Sequence, residues 1–361
     1  DAPAEEALHG FQRFPAWMWR NQVGWEFVEW LRARNDACTG LRRAGFYGLD
    51  LYSMFSSIEA VLAYLCRVDP DAAEGPRHRT ACLDHWGGDS QRSVYAAAAQ
   101  AAKACEQEAV RQLVDIRAHA LDYVSRDGRR ALDDFFSAEQ NARLVQDAEH
   151  YYRSMFRGRV SSWNLRDRHM ADTMDAIARH LNASGRSDKL VVWAHNSHLG
   201  DARFTDMARR RELNLGQLAR ERHGHDEVRL IGFSTNTGTV TAAHDWDEPG
   251  MRRRVRSALP DSFEHLFAET AASYSAPNFW IPLHEETPVT RLLEQPRLQR
   301  AIGVIYRPET ERQSHYYDVA LSRQFDAIIH LDETTALKGL EPGEEWHRDI
   351  DEPPETFPTG I

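Results

Sequence analysis

Two histidines three residues apart, His195 and His198, follow directly on an apolar run in the segment KLVVWAHNSHLGD (189–201). Asn196 sits between them and Asp201 closes the segment. Histidine titrates nearest to neutrality of all side chains, so it can act as general base, general acid or neutral hydrogen-bond donor. A lone histidine at a strand end is most often a structural residue. Two at this spacing, with an amide and an acid beside them, point to proton transfer or ligand binding. The same spacing allows both rings on one side of a helical turn, where they could share a divalent metal. A catalytic zinc site needs a third protein ligand. Asp201 or Asp50 could supply it, although no spacing demands this.

A second polar cluster is SWNLRDRHM (162–170), with Asn164, Arg166 and Asp167. One reading is a solvated helix start capped by Asn164. The other directs Arg166 into a cleft as an oxyanion stabiliser or carboxylate clamp. The charged run by itself favours the first. Other chemistries lack their motifs. Gly232-Phe233-Ser234-Thr235-Asn236 lacks the last glycine of a nucleophile elbow. Neither a P-loop nor a G-x-G-x-x-G is present. His284-Glu285-Glu286 runs into Thr287-Pro288, and proline does not suit the interior of a zincin helix.

The elements that must position these residues can be read from periodicity. Leu190–Ala194 is a short apolar run bounded by turn formers, the pattern of a buried strand. Ala44–Leu49 reads as another, ending at Asp50, and Tyr52–Arg67 as a helix. Asn214–Arg222 reads as a helix. Val228–Ser234 reads as a strand, with a hairpin through Thr237-Gly238 to Thr241. Arg300–Tyr306 and Ala327–Leu331 are two further strands. Strands alternating with helices predict an α/β fold with a mostly parallel central sheet flanked by helices. In open α/β sheets ligands sit at the carboxyl ends of strands, where Asp50 and His195 would emerge. Residues 69–90 read as a loop. Residues 92–182 read as an inserted helical subdomain, broken near Asp127-Gly128 and Gly158. One domain over 1–340 is expected, followed by an acidic, Pro-rich tail over 341–361. The aromatics Phe11, Phe14, Trp17, Trp19, Trp25, Phe27 and Trp30 read as core rather than as a ligand platform. Trp25, Val28 and Leu31 share a helical face.

Composition narrows the function classes. With 361 residues and 42% hydrophobic content the chain can bury a large core. Its 44 basic and 55 acidic residues give a net charge of −11, which argues against nucleic-acid binding. The arginine bias over only three lysines (Lys103, Lys189 and Lys338) reads as genome composition. Cys38, Cys66, Cys82 and Cys105 show no metal-knuckle spacing and suit free thiols in a reducing, cytoplasmic setting. No apolar run reaches the roughly 18 residues of a membrane span, and no secretory signal opens the sequence. The chain opens on Asp1 rather than Met, as a processed or partial chain would.

Five segments resemble the erythromycin esterase family: GFQRFPAWMWRN (10–21), GFYGLDLYS (45–53), SWNLRDRHM (162–170), VVWAHNSHLGDAR (191–203) and IYRPETERQSHYYDVALSRQFDAIIHLDET (305–334). They occur in family order. The resemblance implies an α/β core around a deep cleft, and hydrolysis of a macrolide lactone in the resistance enzymes. It implies that His195, His198 and Arg166 are catalytic. Asp167, Asn164, Asp50 and Asn196 would contact substrate. No cofactor is implied, and the expected partner is a small ester; oligomeric state is not legible. The family's water-activating histidine lies in a Gly-Glu-x-x-His-Gly-type loop that is expected upstream of Asp1. Glu6 to Gly10 mimics that loop, but no apolar strand precedes it, so His9 is not read as the base. On this expectation the chain is inactive or impaired by itself, with sheet edges uncovered. Two alternatives stay open: a metal-dependent hydrolase with His195 and His198 as ligands, and a non-catalytic binding protein.

Overall fold

The computed structural model describes residues 4–11, 13–38, 43–68, 129–155, 159–185 and 189–347. The chain divides into two compact units. One comprises Asp1–Gly45, Trp193–Arg209 and Ala219–Ile361; the other comprises Phe46–Val192 and Arg210–Leu218.

The first unit is built on strands β1 (Ile231–Ala242), β2 (Met251–Val255), β3 (Asn278–Pro282) and β6 (Ala327–Thr334), in the order β2-β1-β6-β3. β1 and β6 are parallel, and β2 and β3 are antiparallel edge strands. β4 (Arg297–Arg300) and β5 (Tyr316–Val319) form a separate antiparallel pair. The helices of this unit are α1 (Ala4–His9) and α2 (Gln22–Ala37). In the second unit lie α3 (Met54–Val68), α4 (Arg129–Met155) and α5 (Arg159–Ala183). The one-turn helix α6 (Asn196–Leu199) returns to the first unit, and α7 (Leu215–His223) is divided between the two. α8 (Phe263–Tyr274), α9 (Pro288–Leu293), α10 (Glu311–Ser314) and α11 (Leu321–Gln324) complete the first unit.

One face of the sheet is buried by a cluster of Leu230, Phe263, Phe267, Leu283, Leu321, Phe325 and Ile328. Gly232 belongs here because a Cβ would lie 2.7 Å from the Ile328 side chain and 2.8 Å from Phe325. Gly238 has φ +107°, where β1 exchanges its β6 partner for β2. The second unit packs helices along matched stripes. Met54, Ile58, Val61 and Leu65 on α3 recur every three or four residues, and Ala138, Ala142, Val145 and Ala148 do so on α4.

The α/β class expected from the sequence holds, with one parallel pair at the centre and antiparallel strands outside it. Several boundaries are corrected. Leu190–Ala194 and Ala44–Leu49 belong to no sheet among the described residues, and Val191 and Trp193 are 97% and 75% exposed. β-branched residues favour a strand only where a neighbouring strand offers a ladder. The hairpin at Thr237-Gly238 is absent, because β1 runs unbroken through it. The strand expected over Arg300–Tyr306 ends at Arg300, with one isolated bridge from Ile305 to Ala243. Pro288 lies at the first turn of α9, capped by Thr287, where its missing N–H costs nothing. Trp25 and Trp30 are 42% and 58% exposed, while Phe14 packs on Trp17 and Trp246. The segment read as a loop over 69–90, the part of the helical reading before 129, and the tail beyond 347 lie outside the described residues.

Candidate active site

His195 is the N-cap of α6. The Ser197 N–H donates to its Nδ1 at 3.2 Å, and the Ser197 Oγ lies 2.8 Å from the same atom. A nitrogen that accepts from a backbone N–H carries no hydrogen, so the ring hydrogen is on Nε2. Nε2–H donates to the Ile302 carbonyl at 3.0 Å. Burial, then the neighbouring His198, pushes the ring down to about 4, against the favourable Ile302 carbonyl. His195 is therefore an uncharged hydrogen-bond donor at neutral pH. His198 is buried at 8% exposure, one turn further on.

The turn is fixed from three directions. The Asn196 amide donates to the Phe233 carbonyl at 2.6 Å and accepts the Phe233 N–H at 3.2 Å. Asn196, expected to meet substrate, thus fastens the turn to β1. Gly200 leaves no room for a side chain, since a Cβ would lie 2.5 Å from Gln324 Nε2. Asp201, fully buried, holds Arg203 through Nε at 2.9 Å and Nη2 at 2.7 Å, and accepts Arg220 Nη1 at 3.2 Å. Arg220 also pairs with Asp326 at 3.0 Å. The Asp201 carboxylate, one of the candidate third metal ligands, is engaged by arginines.

The second unit holds its own charged centre. Arg166 grips Asp50 with two hydrogen bonds, Nε to Oδ1 at 2.9 Å and Nη2 to Oδ2 at 2.6 Å. Its guanidinium lies over the Tyr52 ring, 4.7 Å from the centroid. The Tyr52 and Tyr151 hydroxyls are 2.8 Å apart. Burial raises both phenols, so they stay protonated. Burial works against the Arg166 charge, but Asp50 more than offsets it and the net shift is upward. Arg166 and Asp50 are a fixed ion pair. Asn164 lies inside α5 rather than at its cap. It donates to the Arg211 carbonyl at 2.9 Å and accepts the Leu213 N–H at 2.9 Å. Asp167, fully buried, accepts the Leu215 N–H at 2.9 Å. Both side chains hold the segment that opens α7.

Tyr52, Tyr151 and Arg300 were not singled out by sequence pattern. Tyr52 stands two residues after Asp50, the one local signal available. Arg300, 6% exposed, donates to the carbonyls of Arg256, Thr235 and Asn236 and to Glu311 Oε1. His9 is exposed at the end of α1. Among the described residues no three His, Cys, Asp or Glu side chains gather as a metal site. No helix among them is long and apolar enough to cross a membrane. Cys38 and Cys66 are half-buried.

A mixed open sheet beside helices, with a histidine turn on the sheet-bearing unit, defines an α/β protein. Three solved structures share the fold. One is described as a succinoglycan biosynthesis protein, 17% identical, with a TM-score of 0.71 over 94% of this chain and 79% of that one. A Bacillus cereus protein is 14% identical, with a TM-score of 0.72 and the same coverages of 94% and 79%. A mutant of the erythromycin esterase EreC in its open conformation is 14% identical, with a TM-score of 0.59 over 95% of this chain and 82% of that one. The family model for erythromycin esterase matches residues 1–334, and the chain belongs to that family. Membership supports an esterase-like hydrolase function.

Proposed function

We propose that the protein hydrolyses a macrolide lactone or another bulky ester by attack of water, without a metal ion. The observation that carries this reading is the state of His195: neutral, with its hydrogen fixed on Nε2. A ring whose Nδ1 already accepts from Ser197 has no free lone pair for water. His195 is therefore the donor that stabilises the tetrahedral oxyanion or protonates the leaving alkoxide, once its Nε2–H turns from Ile302 to substrate. A different histidine acts as the base that takes the proton from water. A neutral donor suits an oxyanion site because it loses no stabilising charge as the pH varies around neutrality. Burial above all holds His195 neutral.

The test is to incubate the full-length protein with a panel of macrolides and bulky synthetic esters, with and without a chelator. Hydrolysis unaffected by chelator is the expected result. Loss of hydrolysis on chelation would replace this reading with a metal-dependent one. Binding without turnover of any ester would replace it with a non-catalytic one.

A further inference from the structure

In the core of the first unit, side chains from separate elements converge on Tyr317 of β5. Its hydroxyl donates to Gln299 Oε1 at 3.0 Å and accepts from Gln324 Nε2 at 3.5 Å. Glu264, at the start of α8, follows Ser262, which bridges Leu298 next to Gln299. Glu264, Gln299 and Gln324 are each 1% exposed. Each has one polar atom without a hydrogen-bond partner among the described residues: Glu264 Oε2, Gln299 Nε2 and Gln324 Oε1. Buried polar atoms left without partners cost about 1–3 kcal/mol each, so several in one core call for an occupant.

The chemistry of the three atoms selects that occupant. With Glu264 ionised, two are acceptors and one is an amide donor. A cation would meet the donor hydrogen of Gln299 Nε2 unfavourably, and an anion would be repelled by Glu264. A water molecule accepts from Gln299 Nε2 and donates to Glu264 Oε2 and Gln324 Oε1. With Glu264 protonated, water accepts from both Glu264 and Gln299 and still donates to Gln324. Three hydrogen bonds are what a buried water ordinarily makes. We propose that Glu264, Gln299, Gln324 and Tyr317 enclose a binding site for one internal water.

The site adjoins the histidine turn. The Gln324 carbonyl accepts the Asp201 N–H at 3.0 Å, and its side chain fills the space beside Gly200. Water that fixes the Gln324 amide therefore also fixes the floor under α6.

A high-resolution crystal structure of the protein tests this. One solvent peak within hydrogen-bond distance of all three atoms is expected. Contacts near the short distances of a metal ion, or three side chains repacked onto one another without solvent, would overturn the proposal. Unfolding in urea gives an independent check. Glu264 and Gln324 share no direct hydrogen bond, so the midpoint shifts of Glu264→Leu and Gln324→Leu should be clearly non-additive in the double variant. Additive shifts would contradict a shared water.

Discussion

The carboxamide of Asn196 makes both of its hydrogen bonds to the main chain of one residue, Phe233: Nδ2 to the carbonyl at 2.6 Å and Oδ1 from the N–H at 3.2 Å. A side-chain amide here stands in for a backbone amide and joins the histidine turn to β1 as a strand would. His195 immediately precedes it, so the direction of the imidazole depends on this pair.

Asn196→Asp keeps the acceptor but places a second acceptor against the Phe233 carbonyl. The pair is exposed and water can reach the freed carbonyl, so a loss of about 0.5–1.5 kcal/mol in stability is expected. Chemical denaturation measures it. Unchanged stability would mean that the turn is held by its other anchors alone.

Asp201→Asn should cost more. Asp201 is fully buried between Arg203 and Arg220, and Arg220 is itself 5% exposed. Removing one charge leaves Arg220 partly uncompensated, and breaking such a buried pair costs about 3–5 kcal/mol. An unfolding midpoint within error of the unaltered protein would contradict the ion network.

Arg166→Lys tests the second unit. Lysine cannot make the two-point grip on Asp50 or lie flat over Tyr52. The partners are partly exposed, so the expected loss is modest, about 1 kcal/mol. If Asp50→Asn weakens the protein while Arg166→Lys does not, charge rather than fork geometry holds the pair.

Glu264 makes stability depend on pH. Burial pushes its carboxyl up to about 7 from 4.5, against the opposing pull of Arg300. The folded state binds the proton more tightly than the unfolded state, so the contribution is present below pH 4.5 and is lost as pH rises through about 7. Glu264→Gln should therefore stabilise the protein above pH 7, by up to about 3 kcal/mol, with the gain fading toward pH 4.5. A gain independent of pH would show that Glu264 is not the titrating group.

Much of the frame was legible because it depends on local pattern. Asn214 followed by an apolar period marked α7, and the apolar run at Ala327 marked β6. The histidine turn was legible from its residue types alone. The roles of its neighbours were not. Asn196 finds its partner 37 residues away, and Asn164 and Asp167 bond 47 to 49 residues ahead. A polar side chain that satisfies a backbone group and one that meets a substrate look alike in sequence. Arg300 shows the converse: within an expected strand it lies buried among carbonyls that the chain brings together only on folding. Leu190–Ala194 has the composition of a strand, yet composition does not supply a ladder partner.

His195 also sets the most direct measurement. Mass spectrometry of erythromycin incubated with the full-length protein, and with its His195→Ala variant shown by circular dichroism to be folded, tests lactone hydrolysis and the donor together. Gain of one water by the drug with the unaltered protein, and its loss or reduction by about 100-fold or more in the variant, is the expected result for removal of an oxyanion donor. Equal rates for the two proteins would contradict a catalytic role for His195.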